Sequence, residues 1–183
     1  MSLLPIHLMG SPVLRQRATE IGAGGIDDTL RTFVADLFET MRAYKGVGLA
    51  ANQVGVARRV TVVETDAEHS YVLIDPVVVT EAGRAKDEEG CLSIPDIYGD
   101  VQRAASVVVE ATDLSGTRQR IEAEGLLARA ILHEIDHLDG ILFLDRVGPI
   151  KRRLLLRDWE RSRKGKSGVI RDQPTPEDAA RTG

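Results

Sequence analysis

The pattern of apolar positions predicts a helix early in the chain and strands in its middle. Apolar residues recur at helical spacing between an aspartate cap at 27 or 28 and the Lys45-Gly46 stop, so we expect a helix up to about Tyr44. From Arg58 onward β-branched residues dominate, which predicts strands over 60–63, 71–74, 77–80, 101–111 and 117–123. We expect a hairpin turn at 113–116, and Pro76 should break its strand or place it at an edge.

The flanking regions follow other patterns. Residues 1–26 are expected to form an irregular arm. Residues 131–138 combine helical apolar spacing with four ionisable side chains before Gly140 ends the helix. A short strand is expected over 141–144. A further helix should start near Pro149 and bury Ile150, Leu154, Leu155 and Trp159. Residues 164–183 are rich in polar and charged side chains, which predicts a disordered tail.

Length and composition indicate one globular domain, expected over 1–163. The chain has 183 residues, a net charge of -4 and 43% hydrophobic content, which predicts no general attraction to DNA. No apolar run is long enough to span a membrane, and the first residues lack the pattern of a secretory signal. With 1 cysteine, Cys91, no internal disulfide can form, so we expect a cytoplasmic protein.

The run His133-Glu134-Ile135-Asp136-His137 is the strongest chemical signal. In a helix, the two histidines would share one face and could hold one metal ion, with Glu134 beside it to activate water. The alternative is a surface helix that carries this spacing by chance. A catalytic metal needs a third protein ligand, and Phe143 stands where one known arrangement has a third histidine. From the residues alone, Cys91 and Glu160 both remain candidates.

Three motifs in order, GVGLAANQ at 46–53, EGCLS at 89–93 and HEIDH at 133–137, resemble those of the peptide deformylase family. These enzymes remove the N-formyl group from the N-terminal formylmethionine of nascent polypeptides and release formate. The resemblance implies an α+β fold with antiparallel sheets wrapped around the HExxH helix. It also implies one divalent metal per chain, typically Fe2+ with Zn2+, Ni2+ or Co2+ possible, held by Cys91, His133 and His137.

The same resemblance implies roles for residues around the metal. Glu134 would act as acid and base, and Gln53 with the backbone N–H of Leu92 would bind the developing oxyanion. Glu89 would pair with Arg103. The methionine pocket and the adjoining peptide site would be formed by Val47, Gly48, Leu126, Arg129 and Ala130.

Four positions depart from the family's usual pattern: Asp75, Asp96, Arg129 and Leu132. Arg129 is the most informative, because the family usually has an apolar pocket residue one turn before the first motif histidine. Two outcomes are open. Arg129 narrows or re-aims the methionine pocket, or its side chain extends outward to solvent.

Residues 151–166 carry eight Lys or Arg side chains against two acids. The simpler interpretation is a solvated helix face, and the alternative is a contact with the ribosome. Two rival functions also remain open. One is a zinc peptidase that uses Glu160 as third ligand, and the other is a binding protein that kept the metal and lost catalysis.

Overall fold

Strands and helices alternate through residues 2–174, the part of the chain that this computed structural model describes. The strands are β1 (Ile6–His7), β2 (Gly48–Ala50), β3 (Val60–Glu64), β4 (Ser70–Ala82), β5 (Ala85–Cys91), β6 (Ile94–Arg103), β7 (Ser106–Thr112), β8 (Arg118–Glu124) and β9 (Ile170–Arg171). The helices are α1 (Asp28–Ala43), α2 (Gly125–Leu138), α3 (Phe143–Arg146) and α4 (Pro149–Arg163). Short 3-10 turns occur at Pro12–Arg15, Ala23–Gly25 and Ala51–Val54.

Helix α2, which carries the HExxH run, lies at the centre of the fold. It packs against β2, β3, β7 and β8 of an antiparallel five-stranded sheet with the order β2-β3-β4-β7-β8. Every residue of α2 from Leu127 to Leu138 is buried. Ile131 packs among the valines of β3 and β7, so burial of the apolar sheet face holds the helix in place. The predicted α+β arrangement of antiparallel sheets around this helix is confirmed.

A second sheet, the β5–β6 hairpin, carries the cysteine motif. Its register runs from Ala85 opposite Arg103 to Cys91 opposite Ile94. The sequence did not predict β5, because charged side chains occupy most of its positions. The predicted strand 101–111 is divided, because the chain leaves this hairpin at Ala104 and joins the five-stranded sheet as β7.

Predictions for the early helix and the hairpin turn are confirmed, but that for 141–144 is wrong. Helix α1 begins after Asp27, whose side chain accepts a hydrogen bond from the Leu30 backbone N–H. The hairpin turn at 113–116 is closed by a bond from the Asp113 N–H to Thr117. Residues 143–146 form α3 instead of a strand, because the Asp145 side chain accepts from the Leu142 N–H and caps the turn.

Helix α4 starts at Pro149 as expected, but its buried side is narrower than predicted. Trp159 is buried and Leu155 is half-buried against the core. Ile150 is 79% exposed and Leu154 is 45% exposed, so neither belongs to the buried side. The helix therefore presents apolar as well as basic side chains outward.

Two of the unusual aspartates occupy strained backbone positions. Asp75 has a φ of 49° before Pro76, where the pairing of β4 with β7 shifts its register, so Pro76 produces a bulge within the strand. Its carboxylate accepts hydrogen bonds from the Ile21 and Gly22 N–H groups. Asp96 has a φ of 67°, a conformation that glycine adopts with less strain.

The C-terminal segment returns to the start of the chain. Strand β9 pairs antiparallel with β1, and the Leu8 N–H donates to the Val169 carbonyl at 2.7 Å. Residues 170–171 of the predicted tail therefore form a strand, while the disorder expected from residue 164 onward stays a prediction. Residues 175–183 of that tail lie outside the described part. None of the helices in residues 2–174 combines the length and apolar composition needed to cross a membrane.

Candidate metal centre and active site

The two histidines of α2 point into the same space. His133 and His137 lie one helical turn apart, and their Nε2 atoms are 3.2 Å apart. Both side chains are buried, and Asn52 donates a hydrogen bond to the backbone carbonyl of His137. The helix therefore places two imidazole nitrogens close enough to bind the same metal ion.

Cys91 approaches these two nitrogens from the end of β5. Its Sγ lies 3.2 Å from His137 Nε2, and the three ligand atoms of Cys91, His133 and His137 lie within 4.8 Å of one another. Glycine is required beside the cysteine, because a Cβ at Gly90 would lie 2.6 Å from the ring of Tyr98. One thiol and two imidazoles so close together are a donor set that suits a transition metal.

Glu89 forms a hydrogen bond with one of the candidate ligands, His133. Its carboxylate accepts bonds from Arg103 Nε at 2.5 Å and Nη2 at 2.9 Å, and from His133 Nδ1 at 2.9 Å. The expected Glu89–Arg103 pair is therefore present, and the carboxylate also orients a candidate ligand. Arg103 Nη1 also donates a hydrogen bond to Asp136 Oδ2 at 2.9 Å. The Asp136 carboxylate accepts a second bond from Arg146 Nη2 at 2.6 Å.

Arg129 also donates a hydrogen bond to the Glu89 carboxylate. Its Nη1 donates to Glu89 Oε1 at 2.7 Å, and the side chain is buried. Extension to solvent, one of the two expected outcomes, is therefore wrong. Arg129 is also one of the residues that line the cleft above the cluster.

Burial and hydrogen bonds both shift the pKa values of the site. Burial raises the pKa of the Glu134 carboxyl to about 7, because the buried carboxylate has lost its hydration. Burial opposes the charged form of His133, but hydrogen bonds to Cys91 and Glu89 outweigh it and raise that pKa to about 10. Burial and the charge on His133 both lower the pKa of His137 well below its usual value. Glu134 can therefore exchange a proton near neutral pH.

Gln53 is fixed next to the cysteine. Its Oε1 accepts from the Ala50 N–H at 2.9 Å, and its Nε2 donates to Ser93 Oγ at 3.2 Å and lies 3.6 Å from Cys91 Sγ. The side chain is buried, so its amide N–H₂ is held beside the metal cluster.

A cleft of about 290 Å³ opens over these groups. The predicted site residues that line it are Val47, Gly48, Gln53, Cys91, Leu92, Leu126, Arg129, Ala130, His133 and Glu134. His137 lies beneath the cleft floor, whereas Glu160 is exposed on α4 and does not belong to the cluster. The structure thus favours Cys91 over Glu160 as the third donor.

Sequence reasoning missed Tyr44, Lys45, Glu88 and Tyr98 on the cleft wall, and Asn52 behind His137. Asn52 could have been noticed, because it is a polar residue in an otherwise apolar stretch. The other four carried no signal, since only the folding of the β5–β6 hairpin beside the end of α1 brings them to the cleft.

A thiol, two imidazoles and a buried carboxylate around one cleft define the class of metal-dependent hydrolases. Comparison of the chain with known protein families identifies the family. The family model described as polypeptide deformylase matches residues 3–153, and the chain belongs to that family. Its members remove the N-formyl group from N-terminal methionine and are metal-dependent, so this protein is a hydrolase of the formyl amide.

Individual relatives agree with this assignment. A peptide deformylase of Xylella fastidiosa (strain M12) is 46% identical over 167 residues, covering 90% of this chain and 98% of that relative. The crystal structure of a peptide deformylase from Legionella pneumophila matches with a TM-score of 0.84 and 36% identity over 91% of this chain and all of that one. That of Synechococcus elongatus, in complex with actinonin, matches with a TM-score of 0.80 and 40% identity over 86% of both chains.

Proposed function

We propose that Cys91, His133 and His137 hold one divalent metal ion and that Glu134 is the acid and base for deformylation. The convergence of the three donor atoms within 4.8 Å supports this proposal most directly. Three protein ligands leave a position for water, as catalytic sites require. A divalent ion held by these residues would supply a water molecule of lowered pKa.

We assign Fe2+ as the native metal on the family resemblance. The donor set itself also suits Zn2+, Ni2+ or Co2+, because thiolate and imidazole bind all of these ions. Glu89 supports the assignment of His133 as a ligand, since its bond to Nδ1 orients the ring so that Nε2 lies 3.2 Å from His137 Nε2.

Glu134 takes the proton from the attacking water and later gives it to the leaving amine. Its carboxyl is buried beside the ligands, and its Oε2 has no hydrogen-bond partner among the described residues. Burial raises the pKa of this carboxyl, which favours a group that must take up a proton and return it. Gln53 Nε2 and the backbone N–H of Leu92 are the donors for the oxyanion that forms at the formyl group.

The cleft provides sites for both parts of a formylmethionyl peptide. Val47, Leu126 and Ala130 supply apolar surface for the unbranched methionine side chain. Strand β2, which begins at Gly48, is an edge strand of the five-stranded sheet. An extended peptide of any sequence can pair with its backbone, which a nascent-chain enzyme needs.

Ribosome contact through α4 and a cytoplasmic location complete this proposal. Arg153, Arg157 and Arg161 are exposed on α4, and Ile150 adds exposed apolar surface nearby. Replacing these three arginines by glutamine should weaken ribosome binding and reduce its dependence on salt. Unchanged affinity at fixed salt would mean that α4 is only a solvated face.

Formate release from a formyl-Met-Ala peptide tests the proposal. The protein is purified anaerobically and loaded in turn with Fe2+, Ni2+ or Zn2+, because a ferrous site with its thiolate ligand is open to oxidation. High turnover with iron or nickel and low turnover with zinc supports the assignment. Stoichiometric binding without turnover for any ion would support the rival binding protein instead. Internal cleavage of peptides by a Cys91→Ser protein that still binds zinc would support the rival peptidase.

A further inference from the structure

Arg129 connects the two elements that carry the candidate metal ligands. It lies on α2, one turn before His133, and its Nη1 donates to Glu89 Oε1 at 2.7 Å and to the Val101 carbonyl at 3.0 Å. Its Nη2 donates to the Ala85 carbonyl at 3.0 Å. One guanidinium on the histidine helix therefore bonds both strands of the β5–β6 hairpin, which carries Cys91.

The bond to Glu89 completes the set of donors around that carboxylate. Oε1 accepts from Arg103 and Arg129, and Oε2 accepts from Arg103 and His133. A carboxylate offers about four lone-pair sites, so each is used. Loss of one donor would leave a buried oxygen underbonded and free the carboxylate to rotate away from His133 Nδ1.

The charge of Arg129 also explains why a guanidinium is needed at this position. Glu89, Arg103, Asp136 and Arg146 balance one another as two acids and two bases. Arg129 adds a positive charge to this neutral group, although it is only 8% exposed. Its burial is therefore offset mainly by the three hydrogen bonds to Glu89 and the hairpin carbonyls, which require the planar fork of a guanidinium.

We propose that Arg129 is a positioning residue, which holds the Cys91 hairpin against α2 and orients His133 through Glu89. This inference rests on the proposed metal site, and it assigns to Arg129 a role in metal retention rather than in narrowing the methionine pocket. Mutation of a group that orients a metal-bound histidine typically lowers metal affinity or activity 10- to 100-fold.

The test compares Arg129→Met with Arg59→Met in cobalt-loaded protein. Methionine keeps an unbranched stem on the cleft wall and removes the guanidinium. Arg59 is a matched control, because it is also 8% exposed and pairs with Asp139 at 2.7 Å and with the Pro76 carbonyl at 3.2 Å, so its hydrogen bonds reach neither Glu89 nor the β5–β6 hairpin. The readouts are the rate of cobalt release to a chelator, the visible cobalt spectrum, and KM and kcat for formyl-Met-Ala.

We expect Arg129→Met to release cobalt about 10- to 100-fold faster than the unaltered protein, with an altered spectrum and KM within about twofold. Arg59→Met should lower thermal stability but leave the release rate and the spectrum unchanged. Arg129→Lys keeps the positive charge but lacks the planar guanidinium, so its cobalt release rate should lie between those of the unaltered protein and Arg129→Met. It also provides the comparison if the methionine variant does not fold.

Two results would overturn the inference in different ways. If Arg129→Met and Arg129→Lys release cobalt at the unaltered rate while KM rises, Arg129 is a pocket residue and the proposed function stands. If the unaltered protein binds no cobalt at all, the proposed metal site fails, and the role of Arg129 fails with it.

Discussion

Gly48 lies directly against the carboxylate of Glu134. A Cβ at residue 48 would be 2.5 Å from Glu134 Oε1 and 2.7 Å from its Cγ. Strand β2 therefore lies too close to Glu134 for a side chain at residue 48, and the glycine leaves the space that the carboxylate occupies.

Replacing Gly48 by alanine should displace the Glu134 carboxylate. We expect kcat to fall about 10- to 100-fold, since small misplacements of catalytic groups have effects of this size. Metal content should be unchanged, because Glu134 is not one of the proposed ligands. Steady-state kinetics and metal analysis check both points.

Gly24→Ala is the matched control for this substitution. Apart from its chain neighbours, no atom of residues 2–174 lies within 4 Å of a Cβ placed at Gly24, so the kinetics of this variant should match those of the unaltered protein. A Gly48→Ala protein with unchanged kcat would show that Glu134 does not need its observed position.

Asp145 should make folding stability depend on pH. Partial burial opposes its ionisation, but the ion pair with Arg15 at 2.5 Å outweighs it and lowers the pKa of this carboxyl. The stabilisation is therefore present above the unfolded pKa, about 4, and is lost as the pH falls through the lower folded value. Asp145→Asn should reduce the free energy of unfolding by about 1 kcal/mol at pH 7.

Urea unfolding at pH 7 and below pH 3.5 measures this effect. The difference between Asp145→Asn and the unaltered protein should shrink at the lower pH. Glu122→Gln, a change at an exposed acid on β8, should alter stability little at either pH. An equal loss at both pH values for Asp145→Asn would contradict an electrostatic origin.

Strand β9 should contribute to stability through Tyr44. The Tyr44 hydroxyl donates to the Arg171 carbonyl at 3.3 Å, and the Arg171 guanidinium lies 5.0 Å from the ring centre. Ending the chain after Ser167 removes these contacts and the pairing with β1. We expect a loss of about 1 kcal/mol, which in a domain of this size lowers the melting temperature by about 2 to 4 °C.

Ending the chain after Pro174 is the control for this truncation, because it keeps β9. The melting temperature of the protein that ends at Ser167 is compared with that of this control. If the two proteins melt at the same temperature, the domain ends near residue 163, as the sequence predicted.

Local patterns predicted the parts of the site that lie within one element. The spacing of His133 and His137 is a property of the helix itself, so it could be recognised before the fold was known. The third donor could not be chosen from the residues alone, because Cys91 and Glu160 both required knowledge of packing. The position of Arg129 was missed for the same reason, since Glu89, its partner, lies 40 positions away.

The fold predictions failed where local composition and tertiary context disagree. Strand β5 carries four charged residues among seven, yet pairing with β6 makes it a strand. Ile150 and Leu154 follow a helical pattern but remain exposed, because α4 packs mainly through Trp159. Periodicity predicts that a helix is amphipathic but does not show which apolar residues find a partner.

Formate released per bound metal ion, measured for the unaltered protein and for Glu134→Gln, tests the central claim most directly. Glutamine keeps the size of the side chain and removes its ability to take a proton. The expected result is one metal ion per chain in both proteins, with turnover lowered about 10²- to 10⁴-fold in Glu134→Gln. Substantial turnover by a fully metal-loaded Glu134→Gln protein would contradict the role of Glu134 as the acid and base of this site.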